Sequence, residues 1–206
     1  MKVMIVTDAW KPQVNGVVTT LGQISEGLNR LGHETRFVTP QSFSSIPCPT
    51  YPEIRLSLLP YAGVRREIEA FAPDAIHIAT EGPLGLAARR YCLQRKIAFT
   101  SAFHTRFAEY VHARIRVPVN LTYRWLRYFH APSRALMVPT PTNRRPIFLY
   151  VGRVADALHA DLGVACMQAL DIPRETARGY AEQFSWKDSI DQFVRHLTPV
   201  AALSAA

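Results

Sequence analysis

The chain has 206 residues, enough for one sizeable hydrophobic core with appendages. Its 48% hydrophobic and 19% charged residues exclude a disordered chain, and its three widely spaced cysteines, Cys48, Cys92 and Cys166, argue against a disulfide framework or a zinc site and fit a reducing cytoplasm. A formal net charge of +8 predicts attraction to anions and leaves nucleic acid, anionic lipid and phosphorylated substrates open.

Short β-rich runs alternate with helical patterns from the start. Val3 to Thr7 reads as a strand buried on both faces, and its apolar run is too short for a signal peptide. Val17 to Leu31 follows with Leu21, Ile24, Leu28 and Leu31 at helical spacing, and Gly32 stops the helix. Thr35 to Thr39 and Ile54 to Ser57 read as strands, and Val64 to Phe71 as a helix ending before Pro73. Ala75 to Ala79 is again a buried strand. Leu84 to Lys96 is a helix whose outer face is expected to carry Arg89, Arg90 and Arg95. Ala98 to Phe103 and Ala135 to Val138 are further strands, separated by a short aromatic and basic helix within Pro118 to His130. Beyond a proline-bracketed linker, Ile147 to Val151 reads as a strand. About 157–170, 173–183 and Trp186 to Leu197 read as helices, the last N-capped by Ser185 with Asp188 in place of the usual Glu. This rhythm predicts an α/β fold, a Rossmann-like parallel sheet with helices on both faces. No stretch reaches the roughly 18 apolar residues of a membrane span.

Four segments at strand ends carry polar groups of chemical interest. The first is Asp8 to Val18, where Asn15-Gly16 opens a helix; a glycine there lets a ligand approach the backbone, and the helix start favours an anion. A plain structural turn explains the same residues equally well. The second is Thr80 to Gly85, in which Glu81 can bond a substrate hydroxyl, while a capped, proline-started helix accounts for Thr80, Gly82 and Pro83 without a ligand. The third is Phe103-His104-Thr105-Arg106, where His104 suits a sugar hydroxyl and Arg106 a phosphate, against the ordinary reading of a structural histidine. The fourth is Gly152-Arg153, an arginine placed to clamp a diphosphate. There is no G-x-G-x-x-G fingerprint, nucleophile elbow, Walker loop or H-E-x-x-H motif.

Several strings, in this order, resemble the glycosyltransferase family 4 enzymes of GT-B fold, in particular the GDP-mannose-dependent α-mannosyltransferase branch, near the sulfoquinovosyl and phosphatidylinositol mannosyl transferases. They are Met4 to Trp10, Pro12 to Val17, Pro47 to Arg55, His77 to Gly85 and His104 to Phe107. Arg145 to Arg153 resembles the first strand of the family's second domain, and about 161–200 its extreme C-terminus. The resemblance implies an N-terminal Rossmann-like, acceptor-side domain over residues 1–142 and fragments of the C-terminal domain over 143–206. It implies transfer of a hexose, mannose from GDP-mannose, to a lipid or glycolipid acceptor with retention, and neither metal nor cofactor besides the donor. Gly16, with Asn15, would approach the donor phosphates, Arg153 would clamp them and His104 would contact the transferred sugar. Asp8, Glu81, Thr105 and Arg106 are the candidates for acceptor or sugar.

The family's lysine after Gly-Arg is absent, since Val154 to His159 follows instead. Its E-x7-E motif is also missing from the expected place; Glu26 and Glu34 have that spacing but lie on the first helix and the next strand. The chain is therefore expected to lack most of the donor domain and to be inactive alone, with an internally deleted acceptor- or membrane-binding domain as the alternative to a working transferase. Arginines 65, 66, 89, 90, 114, 116, 124 and 127, with Trp125, Tyr128 and Phe129 at the interface, suit an anionic membrane surface, against core aromatics and solvated arginines. Nucleic acid is not expected as a partner, because no binding motif accompanies the charge.

Overall fold

In the computed structural model, residues 1–48, 51–103, 116, 118–137 and 185–200 are described. The chain falls into two compact units, one of Met1–Pro139 with Phe193–Ala206 and one of Thr140–Gln192. The first unit is built on a five-stranded parallel sheet in the order β2-β1-β5-β6-β7, with β1 Lys2–Val6, β2 Glu34–Val38, β5 Ala75–Ile78, β6 Thr100–Ala102 and β7 Ala135–Met137. A separate antiparallel pair joins β3 Ser45–Cys48 to β4 Tyr51–Ser57. The sequence signalled only the second half of β4. Proline and serine in β3 hid its partner, since neither is a strand former.

Val3 to Val6 are wholly buried because the central strands are covered on both faces, which explains the unbroken apolar run. On one face Met4, Val6, Ile76, Ile78 and Phe99 pack against Val64, Ile68 and Phe71 of α2 (Tyr61–Phe71), Leu84 and Ala88 of α3 (Pro83–Arg95) and Phe129 of α4 (Val119–His130). On the other, Val3, Ile5, Ala75 and Ala79 meet Leu21, Ile24 and Leu28 of α1 (Gly16–Arg30), with Phe193 and Leu197 from the C-terminal stretch. Gly32 has φ +76, the left-handed geometry that stops α1 without steric cost.

The helix α5, Trp186–His196, is capped as expected. The Asp188 N–H donates to Ser185 Oγ at 3.1 Å, and the Ser185 hydroxyl donates to Asp188 Oδ2 at 2.7 Å. Its last turn belongs to the first unit: the Phe193 ring meets His77 edge-on at 4.8 Å, and the Val200 N–H donates to the Asp74 carbonyl at 2.7 Å. The expected strand 147–151 and helices 157–170 and 173–183 lie outside the described residues. Among the described residues no helix is long and apolar enough to cross a membrane.

Two expectations are corrected. Arg89 is not on the outer face of α3 but buried, with Nε donating to the Phe129 carbonyl and Nη2 to the Tyr128 carbonyl, both at 2.9 Å. The last carbonyls of α4 have no intrahelical donors, and a buried guanidinium with a planar fork supplies two at once. The aromatic part of the membrane reading is narrowed for the same helix. Phe129 is fully buried and Trp125 packs on it at 5.6 Å between centroids, so of the three aromatics only Tyr128 is exposed, at 61%. Arg89→Met should cost about 3 kcal/mol in urea unfolding, since it strips two carbonyls of their donor, whereas Arg66→Ala on exposed α2 should stay within about 0.5 kcal/mol.

Candidate functional site

The chain leaves β1 for β2 on one side and then crosses to β5 on the other, so the order reverses between β1 and β5. In open α/β sheets the crevice beyond the carboxyl ends of such a strand pair is where ligands bind. The loops that border it are 7–15 after β1 and 79–82 after β5.

Asp8 ties these loops together. Its N–H donates to Thr80 Oγ1 at 2.7 Å, and the Thr80 hydroxyl donates back to Asp8 Oδ2 at 3.0 Å. The Leu84 N–H donates to Oδ1 at 2.9 Å and the Gly85 N–H to Oδ2 at 3.3 Å. A carboxylate from one loop thus caps the helix that starts after the other, where free N–H groups and the helix dipole favour negative charge. The approach is close enough to need glycine: a Cβ on Gly82 would run into the Asp8 carboxylate, and one on Gly85 into the Thr80 carbonyl oxygen. The structural reading of Thr80, Gly82 and Pro83 is therefore the one the geometry supports. Asp8, a candidate for acceptor or sugar, has its carboxylate oxygens engaged inside the fold.

Burial pushes the Asp8 carboxyl up from 3.8 to about 6, with a further push from Glu81, against the Leu84 and Gly85 amides and the Thr80 hydroxyl that hold it down. The folded-state value lies above the unfolded one. The contribution of Asp8 to stability is therefore fully present below 3.8 and lost as pH rises through about 6. At neutral pH the group is the carboxylate that caps α3.

Glu81 is held differently. Its Oε1 lies 3.2 Å from His130 Nε2 at the end of α4, and His130 Nδ1 lies 2.9 Å from Ser101 Oγ on β6. Ser101 is completely buried and His130 nearly so, while the Glu81 side chain keeps 17% exposure. The chain Ser101–His130–Glu81 thus runs from the core to the sheet's edge and fixes the orientation of a partly exposed carboxylate. Phe103, edge-on to the His130 ring at 6.4 Å, closes one side. The sequence pointed to Glu81 but missed His130 and Ser101, because a histidine at a helix end and a serine in a strand carry no signal until the sheet places them together.

Asn15 is the N-cap of α1, its Oδ1 accepting from the Val18 N–H at 3.0 Å. A Cβ on Gly16 would meet nothing within 4 Å, so glycine is not required there by packing. His104, Thr105, Arg106 and Arg153 lie outside the described residues. Among the described residues no group of His, Cys, Asp and Glu is arranged to hold a metal ion. Cys92 is buried, which pushes its thiol up to about 12 and leaves it inert as a nucleophile.

Residues 14–150 match the family model for Glycosyltransferase Family 4. The chain is 31% identical over 130 residues to an alpha-monoglucosyldiacylglycerol synthase of Acholeplasma laidlawii, covering 54% of this chain and 32% of that protein. It is 24% identical over 162 residues to a GDP-mannose-dependent alpha-mannosyltransferase of Mycobacterium tuberculosis, covering 66% of this chain and 43% of the relative. A protein of the same description from Mycolicibacterium smegmatis is 25% identical over 184 residues, covering 76% of this chain and 48% of the relative. The match spans less than half the length of each of these relatives.

Asp8→Asn should flatten the pH dependence of unfolding. The wild-type chain is expected to lose about 3 kcal/mol of stability as pH rises from 3.8 to about 6, read by urea denaturation across that range. The substituted chain should show that slope removed, because an amide does not titrate.

Proposed function

The chain belongs to glycosyltransferase family 4, and from that premise we propose that it forms the acceptor-side wall of a site that transfers a hexose from a nucleotide sugar to the hydroxyl of a lipid or glycolipid, with retention of configuration. GDP-mannose is the donor we favour, after the mannosyltransferase relatives, and a lipid or glycolipid the acceptor class, after the monoglucosyldiacylglycerol synthase. The observation that carries the reading is Glu81: a partly exposed carboxylate held by buried His130 at the β1/β5 reversal, beside loops locked together by Asp8.

In this scheme Glu81 accepts a hydrogen bond from a substrate hydroxyl, and His130 keeps the carboxylate from swinging toward solvent. A fixed acceptor orients the hydroxyl before reaction, which is the positioning contribution to catalysis. Asn15 and Gly16, at the start of α1, receive the donor phosphates with backbone N–H groups and the helix dipole. His104 contacts the transferred sugar, Thr105 and Arg106 flank it, and Arg153 clamps the diphosphate. Charge at the departing diphosphate is stabilised by fixed N–H and guanidinium groups, so the scheme calls for no metal. The buried thiol of Cys92 suits the place of action we propose, the cytoplasmic face of a membrane.

Thermal unfolding with a panel of nucleotide sugars tests the reading. GDP-mannose at about 100 times its dissociation constant should add about 2.7 kcal/mol, a rise of roughly 5–10 °C, while an unrelated nucleotide should not. Gly16→Ala sharpens the test, because a methyl group there has room within the fold but stands where the phosphates approach. Its midpoint without ligand should match or slightly exceed wild type, and its shift with GDP-mannose should vanish. An undiminished shift in Gly16→Ala would remove the phosphate role of this helix start.

A further inference from the structure

The end of α4 lacks donors that a helix end ordinarily borrows from the chain beyond it. Residue 132 is a proline, so the N–H that would reach back to the Tyr128 carbonyl does not exist. The Ser133 N–H, one turn beyond Phe129, donates instead to the His130 carbonyl at 2.9 Å, joined there by the Ser133 hydroxyl at 2.7 Å. The Tyr128 and Phe129 carbonyls are left to Arg89 of α3, one to Nη2 and the other to Nε. The guanidinium also lies over the Tyr128 ring, 4.4 Å from its centroid. Among the described residues no carboxylate pairs with it. Its charge is set against the negative end of the α4 dipole instead.

The grip closes a circuit around Glu81. That residue lies in the loop that opens α3, whose first turn is fixed by the Asp8 carboxylate. Arg89 stands further along the same helix and holds the end of α4. The residue after the gripped Phe129 carbonyl is His130, whose ring returns to Glu81 Oε1 at 3.2 Å. An ionised carboxylate only accepts, so His130 Nε2 carries the hydrogen of that bond, while Nδ1 faces Ser101 Oγ at 2.9 Å. Between Glu81 and His130 the circuit has one joint that is neither covalent nor a helix, the Arg89 fork. One hydrogen bond orients a carboxylate only as well as the donor's own backbone is held.

We propose that Arg89 is a positioning residue for the candidate site. By gripping two successive carbonyls it fixes the backbone from which His130 extends, and so sets where the Glu81 carboxylate is held. The inference rests on the reading of Glu81 as the group that receives a substrate hydroxyl. Arg89 acts only through His130. A lysine would not replace it, because a compact point charge meets one carbonyl where the planar fork meets two.

The test is NMR of the full chain without substrate near neutral pH, following solvent exchange of the His130 Nε2–H and the side-chain order of Glu81. Arg89→Lys is the main variant, since it keeps the charge and one donor where Arg89→Met risks the fold. In Arg89→Lys the Nε2–H should exchange roughly fivefold to tenfold faster, the worth of about one hydrogen bond, and Glu81 should lose order. Adding Arg89→Lys to His130→Ala should change Glu81 no further, because the path between them is already cut. Exchange and order both unchanged in Arg89→Lys would overturn the proposal. So would an equal further loss of Glu81 order in the His130→Ala background, which would mean that Arg89 loosens the domain as a whole. No transferase activity enters these readouts. A chain that passes them and shows no shift with GDP-mannose keeps the positioning and loses the transferase reading, and the opposite pair of results does the reverse.

Discussion

The arrangement of this fold's functional edge depends on one buried carboxylate. Asp8 leaves the end of β1, and both of its oxygens are taken by the backbone that starts α3. The strand ends are held by the ladder that pairs Val6 with Ile78, and a plain surface turn at either loop would leave only the loops beyond them untied. The capping bonds instead tie the first βα loop to the third, across the place where the sheet order reverses. Two glycines without room for a Cβ record how closely the loops approach. The position of Glu81, one residue beyond Thr80, follows from that closure.

The second constraint comes from the far side of the sheet's edge. His130 ends α4 and bridges Glu81 to Ser101, while one residue before it the Phe129 carbonyl is held by Arg89 of α3. The same short stretch of α4 therefore packs the core through Phe129, accepts a buried cation at its carbonyl and orients a carboxylate with its last side chain. Beneath the sheet the pattern is repeated with different partners. His77 of β5 meets Thr100 of β6 at 2.9 Å and the ring of Phe193 from the C-terminal stretch. Adjacent residues of β6, Thr100 and Ser101, thus serve histidines on opposite faces.

Much of the architecture was legible from the sequence because it rests on periodicity. Unbroken apolar runs at Val3 and Ala75 announced strands covered on both sides, and Gly32 and Pro73 marked helix ends. The hairpin strand Ser45–Cys48 was not legible, since its proline and serine carry no strand preference. Arg89 was misread because sequence spacing shows which residues share a helix face and not which backbone carbonyls await a donor there. The motif residues around Asp8 and Glu81 stood out as a resemblance, but their roles differ in kind: the geometry turns Asp8 inward as a cap and leaves Glu81 at the edge. His130 and Ser101 join the site only through the tertiary fold, from positions 49 and 20 residues along the chain from Glu81.

Amide hydrogen exchange at Leu84 and Gly85, compared between the wild-type chain and Asp8→Ala at neutral pH, tests the central claim most directly. If the Asp8 carboxylate joins the two loops, both amides exchange slowly in the wild type. In the substituted chain they lose that protection, while Val3 to Val6 in the sheet's centre stay protected. If Leu84 and Gly85 exchange at the same rate in both chains, the loops are held by something else, and Asp8 is not the constraint on which the site depends.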